Sequence, residues 1–235
     1  MVVLWLRLSM EESDQFKSSN RNNRQAGTLR LLAHYPKQVL TVVGMTLGGT
    51  ISFYTYTTYL QQFMINTTGL SKKTAAMINF VALLVMVVLQ PLFGHLSDRI
   101  GRKPLLIFFG IGGTLCTVPL FTLMAGASTA LEALLLMIVG IVIVSGYTSI
   151  NAIVKAELFP SEIRALGVGM PYGLTVALFG GTVNYIALWL RSIHLESAFF
   201  WYVSGAVFIS LLVYAFVLKP GSLIDEEMTE STTTD

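Results

Sequence analysis

Six apolar runs divide the chain, at residues 38–62, 75–96, 104–124, 133–154, 165–190 and 197–218, and none contains Asp, Glu, Lys or Arg. A helix needs about 20 mostly apolar residues to cross a hydrocarbon core of roughly 30 Å, and every run reaches that length. Strands of a membrane barrel would alternate with period two over about ten residues, which these runs do not. The pattern predicts an all-α membrane protein with a six-helix transmembrane bundle over 38–218. Polar segments flank it. Residues 1–37 open on the apolar stub "MVVLWLR", too short to span, and continue as the solvated stretch "EESDQFKSSNRNNRQ". The stub reads as the end of a truncated transmembrane helix, and the stretch after it as a central cytoplasmic loop. It is no signal peptide, because acids follow at once where a basic start is needed. Residues 219–235 form an acidic, Thr-rich tail.

Composition agrees with the bilayer as solvent. The 235 residues are 54% hydrophobic and only 12% charged, too little charge to cover a soluble domain of this size. A net charge of +2 with no basic stripe argues against nucleic-acid binding. The single cysteine, Cys116, lies in an apolar run and reads as packing. The spans hold no Ser/His dyad, no Asp pair and no metal-ligand cluster, so an intramembrane enzyme is the weakest reading, and neither a metal nor a cofactor is implied. The cations are unevenly divided. Twelve of the fifteen Lys and Arg fall on one side of the predicted topology, leaving Lys72, Lys73 and Arg191 on the other. Basic residues stay cytoplasmic during insertion, which places both termini in the cytoplasm.

Between the second and third runs lies a dense charged knot, "GHLSDRIGRK". Gly94 suits close helix approach, Asp98 and Arg99 can pair or cap helix ends, Gly101 permits a tight turn, and Arg102 and Lys103 hold the loop inside. At Gly94, Leu96, Asp98, Arg99, Gly101, Arg102 and Lys103 the knot resembles a signature of the major facilitator superfamily. The stretch "KAELFPSEIRALGVG" resembles a second family pattern at Glu157, Phe159, Pro160, Arg164 and Gly167. Pro160 stops the preceding helix, and Glu157 with Arg164 suits an interfacial ion pair. "FYTYTTYLQQF", "IVSGYTSINAIVKAELFP" and "ESAFFWYVSG" look like the C-terminal half of α-ketoglutarate permeases, in the metabolite/proton symporter branch.

The resemblance implies a twelve-helix carrier whose N-terminal six-helix half is missing here, in a bacterial inner membrane. It implies a small organic-acid substrate, a dicarboxylate such as α-ketoglutarate, with the proton as coupling ion. It also implies a conformational latch in the knot at Gly94, Asp98, Arg99, Gly101, Arg102 and Lys103. Three alternatives stay open: a non-transporting remnant, a subunit that pairs with a separately encoded half, and a carrier of shikimate, citrate, proline or betaine.

Substrate-lining residues must be polar and central. In the first run, Gly44, Gly48, Ser52, Tyr56 and Tyr59 share one helical face, and Thr46, Thr50, Tyr54, Thr58 and Gln61 another. The sequence does not decide which face meets protein. The substrate-binding candidates are Tyr54, Tyr56, Thr58, Gln61, Tyr147, Asn151 and Asn184, whose hydroxyls and amides can meet a carboxylate. Tyr59, near the outer end, also suits a lipid-facing aromatic belt. Gln90, beside Pro91, reads as a partner for backbone freed by the proline. Glycines and Pro171 predict a bent fifth span. The resemblance implies that the cationic anchors and the proton site lie mostly in the absent half; Lys155, at the cytoplasmic mouth, is the one local candidate for such a role and is read first as a topology determinant.

Overall fold

The computed structural model describes residues 32–218. The apolar stub, the charged linker up to residue 31 and the tail from 219 lie outside the described residues. Among the described residues, six helices are long and apolar enough to cross a bilayer: α1 Pro36–Asn66, α2 Lys72–Ile100, α3 Arg102–Ala125, α4 Ala130–Ala156, α5 Arg164–Ser192 and α6 Glu196–Val217. No strand occurs among the described residues, and the all-α expectation holds.

Local chemistry sets the helix ends. Ser71 caps α2 by accepting from the Thr74 N–H at 3.1 Å. Thr129 and Glu132 form a reciprocal capping box before α4, satisfying two backbone donors that would otherwise be orphaned. A single residue, Gly101, turns α2 into α3 at φ 86°, a left-handed conformation that a Cβ would oppose.

Four helices are interrupted. A wider, π-type turn runs through Thr55–Tyr59 in α1, Val176–Gly180 in α5 and Val213–Val217 in α6. In α4 the helix breaks at residues 149–150 and resumes at Asn151. Such turns free backbone groups, tolerable at membrane depth only where protein or a cavity surrounds them. The bent or partly unwound helix expected for the fifth span appears as an interruption of α5, at its π turn and at Gly181–Thr182.

The core is built around α1. Its apolar length is 61% buried, against 17% for α2 and 22% for α5. It packs on α6, α5 and α4, while α3 closes on α6 and α4, and α2 lies outside α4. The face with Gly44, Gly48, Ser52, Tyr56 and Tyr59 meets protein. A Cβ on Gly48 would sit 2.6 Å from the Val207 Cα and 2.7 Å from the Ala206 carbonyl oxygen. Across this contact the Ser210 hydroxyl accepts from the Gly48 N–H at 2.8 Å and donates to the Gly44 carbonyl at 2.6 Å. One turn away, the Tyr214 hydroxyl donates to the Met45 carbonyl at 2.8 Å. Membrane helices gain little from apolar burial against lipid, so close backbone approach and hydrogen bonds of about 0.6 kcal/mol each carry the seam. At the far end Tyr59, Phe63, Phe121, Phe199 and Phe200 stack into one aromatic cluster joining α1, α3 and α6. Tyr59 is only 1% exposed, so it packs inside and belongs to no lipid-facing belt.

Gly48→Ala should therefore lower the thermal unfolding midpoint in detergent, at a cost of about 1–3 kcal/mol, because backbone rather than a flexible side chain must move. Gly205→Ala, where an added Cβ meets nothing within 4 Å, should leave the midpoint unchanged. Equal midpoints for both variants would show that the α1–α6 seam is not tightly packed.

Candidate functional site

Tyr147, Asn151 and Lys155 follow one another at intervals of four residues, across the break in α4 and on through its last turns. The spacing keeps them near one face. Lys155 is only 1% exposed, the one buried Lys, Arg, Asp or Glu among the described residues. Its ammonium donates to the Tyr147 hydroxyl at 3.0 Å and to Asn151 Oδ1 at 3.1 Å. The Tyr172 ring of α5 lies over it, 4.2 Å from nitrogen to ring centre, and the Tyr147 ring is 5.3 Å away. No carboxylate pairs with it: the two ion pairs among the described residues are Arg102–Glu157 and Arg191–Glu196.

The surroundings hold these groups in place. The Tyr147 ring lies flat against Gly49 of α1, where an added Cβ would come within 2.2 Å of it. It also packs on Phe109 of α3 at 5.3 Å between ring centres. Next in sequence, Thr148 accepts from Gln90 Nε2 of α2 at 2.9 Å. Gln90 is thus a tie between helices, correcting the expectation that it serves the backbone near Pro91. Four helices fix the cluster.

The other candidates are scattered. Tyr56 is buried inside the bundle, with its ring on Gly140 and its hydroxyl 3.0 Å from Thr117 Oγ1. Tyr54 is half-buried and faces α5, where its ring and Thr50 meet Gly180. Thr58 is exposed. Gln61 Oε1 accepts from Asn79 Nδ2 at 2.9 Å, joining α1 to α2. Asn184, just beyond the interruption of α5, keeps a buried Oδ1 without a partner. Of the seven substrate-binding candidates, only Tyr147 and Asn151 share a cluster, and its centre is Lys155.

The charged loops are arranged differently from expectation. Glu157 pairs with Arg102 of the knot, not with Arg164, whose Nε instead donates to the Phe159 carbonyl at 3.2 Å. Arg164 opens α5 within reach of that carbonyl, while the turn from α2 to α3 brings Arg102 across to Glu157. Lys103 donates to the carbonyls of Ala215 and Leu218 at 2.9 and 2.8 Å. It thereby satisfies orphan acceptors at the end of α6. Asp98 and Arg99 are exposed, with no ion pair to either. A Cβ on Gly94 would meet nothing within 4 Å, so no helix of the described residues approaches closely there. Gly101 does make the predicted turn. At the opposite end Glu196 accepts from Thr67 at 3.0 Å and from Tyr59 at 3.4 Å. It also pairs with Arg191 at 3.9 Å.

Sequence reasoning missed the burial of Lys155, its contact with Tyr172 and the cluster around Glu196. The four-residue spacing of Tyr147, Asn151 and Lys155 was the available signal. A buried ammonium surrounded by neutral donors and acceptors is a ready partner for an anion's oxygen.

Comparison with known proteins places these features in context. The Major Facilitator Superfamily model matches residues 1–170 and 42–230. The chain is 40% identical over 221 residues to alpha-ketoglutarate permease of Escherichia coli (strain K12), covering 94% of this chain and 51% of that protein. It is 27% identical to the glycine betaine/proline/ectoine/pipecolic acid transporter OusA of Dickeya dadantii, over 81% of this chain and 40% of that protein. To the proline/betaine transporter of Escherichia coli (strain K12) it is 25% identical, again over 81% and 40%. The chain spans about half the length of the curated relatives it matches. No solved structure matches.

A charge kept in the interior for stability would be missed on removal, whereas one kept for chemistry would not. Replacing a whole buried ion pair by apolar residues is often neutral or stabilising, by roughly 1–4 kcal/mol, and replacing Lys155 leaves no charged partner stranded among the described residues. Lys155→Met should therefore hold or raise the thermal unfolding midpoint of the purified chain. A fall equivalent to more than about 2 kcal/mol would assign the ammonium a structural role.

Proposed function

The chain belongs to the major facilitator superfamily, and from that premise we propose that it supplies the second six helices of a secondary active transporter for a small dicarboxylate such as α-ketoglutarate. The observation that carries this reading is the 40% identity to alpha-ketoglutarate permease across nearly the whole chain. The family is one of transporters, not enzymes. In this reading the six helices move against a six-helix partner and adjust among themselves, alternating access to a site between the two halves. Uptake is coupled to protons. Both termini face the cytoplasm of a bacterial inner membrane, supported by the twelve-to-three division of Lys and Arg. The groups along the substrate's path are Tyr54, Thr58, Gln61, Tyr147, Asn151 and Asn184, spread from the outer part of α1 to the last turns of α4, while Tyr56 packs inside the bundle against Gly140.

The interruptions of α1 and α5 support the motion. Tyr54 and Thr50, just before the π turn of α1, rest on Gly180 at the end of the π turn of α5. Two irregular helices in contact can change their bend together without separating. The knot Gly94–Lys103 acts as the latch, its grip supplied by Arg102 on Glu157 and Lys103 on the end of α6. The Arg102 and Glu157 side chains are 31% and 37% exposed. Such a pair contributes about 0–1 kcal/mol, at most about a five-fold shift between two states. That suits a catch which must release on every cycle.

Two measurements test the reading. Cells expressing this chain together with the first six helices of the Escherichia coli permease should accumulate labelled α-ketoglutarate. A protonophore should abolish the uptake, and excess proline should not compete with it. Uptake of proline or betaine instead would reassign the substrate, and no uptake of any of them by a correctly inserted assembly would favour an inert remnant. In the same assay Arg102→Glu should slow uptake two- to five-fold, the range set by an exposed pair, with half-saturation unchanged. Adding Glu157→Arg should restore the rate. A swap that restores nothing would remove this pair from the latch.

A further inference from the structure

We propose that Lys155 is the anchor for a substrate carboxylate, held from behind by Tyr147 and Asn151 and covered at rest by the Tyr172 ring. This inference rests on the transporter reading and names the chemistry that selects its substrate.

Cations that fix orientation need only lie outside the bilayer on the cytoplasmic side, as Lys37 and Arg99 do, both exposed. Lys155 is 1% exposed and surrounded by three other residues. Removing an ammonium from water costs several kcal/mol unless something compensates. An internal ion pair would be the ordinary compensation, yet the nearby Glu157 is engaged with Arg102. What the ammonium has instead is two neutral oxygens and one aromatic face. An ammonium carries three donors, and the two oxygens and the ring occupy three directions around it. The charge is solvated by the protein but not neutralised.

The three partners differ in their hold. Tyr147 is wedged between Gly49 and Phe109, and the Asn151 amide donates to the Thr148 carbonyl at 2.9 Å. Both are fixed. Tyr172 is 40% exposed, and neighbouring Gly169 and Gly173 carry no side chain and have nothing within 4 Å of an added Cβ. The ring is therefore the partner that can leave. A carboxylate oxygen taking its place exchanges a cation–π contact for a charge-assisted hydrogen bond, the stronger of the two. Tyr147 and Asn151 need not move, so the site is preorganised for one carboxylate. A second carboxylate of the same substrate would have to find its cation beyond this chain, since no other Lys or Arg is buried among the described residues.

The test is binding to the intact chain in lipid nanodiscs, read as the ligand-induced rise of the thermal unfolding midpoint. The probes are α-ketoglutarate, its uncharged dimethyl ester and glycine betaine. Wild-type chain should respond to α-ketoglutarate and not to the ester. Lys155→Gln should weaken the response at least ten-fold, and Lys155→Arg should keep it within about three-fold, guarding against a variant that merely fails to fold. Tyr172→Leu should tighten binding about two- to five-fold, the equivalent of the lost competition from an exposed cation–π contact. An unchanged α-ketoglutarate response in Lys155→Gln overturns the anchor while leaving the dicarboxylate reading standing. A betaine response without an α-ketoglutarate response, lost in Lys155→Gln, keeps the anchor and retires the dicarboxylate. A response to the ester equal to that of the acid, or no response to any probe, overturns the anchor outright.

Discussion

A hydrocarbon core offers no hydrogen bonds, so a polar group that these helices carry into it is costly unless another part of the same protein satisfies it. That constraint organises the bundle. The Ser210 hydroxyl serves both a donor and an acceptor of α1. Gln61 finds Asn79, and Gln90 finds Thr148. Lys103 closes the carbonyl end of α6. Each bond is worth little by itself, but each also fixes which helices are neighbours. In water these side chains could turn outward; in lipid they specify the packing.

Glycine does the complementary work. Gly48 lets the backbones of α1 and α6 come into contact, Gly49 accepts the Tyr147 ring, and Gly140 accepts Tyr56. The two tyrosines illustrate how similar sequence signals diverge. Tyr56 points its hydroxyl at Thr117, within the bundle. Tyr147 points its hydroxyl at Lys155. One braces the wall and the other orients a charge, and the difference lies in which helix faces each.

The π turns of α1 and α5 and the break in α4 give the bundle places to bend, and these three helices meet at the cluster around Lys155. α4 carries that lysine just beyond its own break, and α5 covers it with Tyr172 ahead of its π turn. A change of bend in α5 would therefore move the cover while α4 and α1 hold the rest. Binding and motion meet at the same residues, as alternating access requires.

The number of spans, their all-α character, the tight turn at Gly101 and the family were legible in the sequence, because lipid demands long uncharged runs and short charged loops whatever the packing. Periodicity also divided α1 into two faces, yet it could not say what each met; Gly48 brings one against α6, and Thr50 and Tyr54 set the other against Gly180 of α5. The pairing of Glu157 was misread because Arg164 is its near neighbour in sequence, whereas Arg102 reaches it only once α3 stands beside α4. Lys155 shows the boundary most plainly. From sequence it is a lysine at the end of an apolar run, where a cation usually meets water. Its burial depends on Tyr172, seventeen positions later and on another helix, and no local pattern carries that information. Sequence determined what must lie in the membrane, since hydrophobicity is a property of each segment. Tertiary structure alone decided which charge is enclosed, since enclosure belongs to several segments at once.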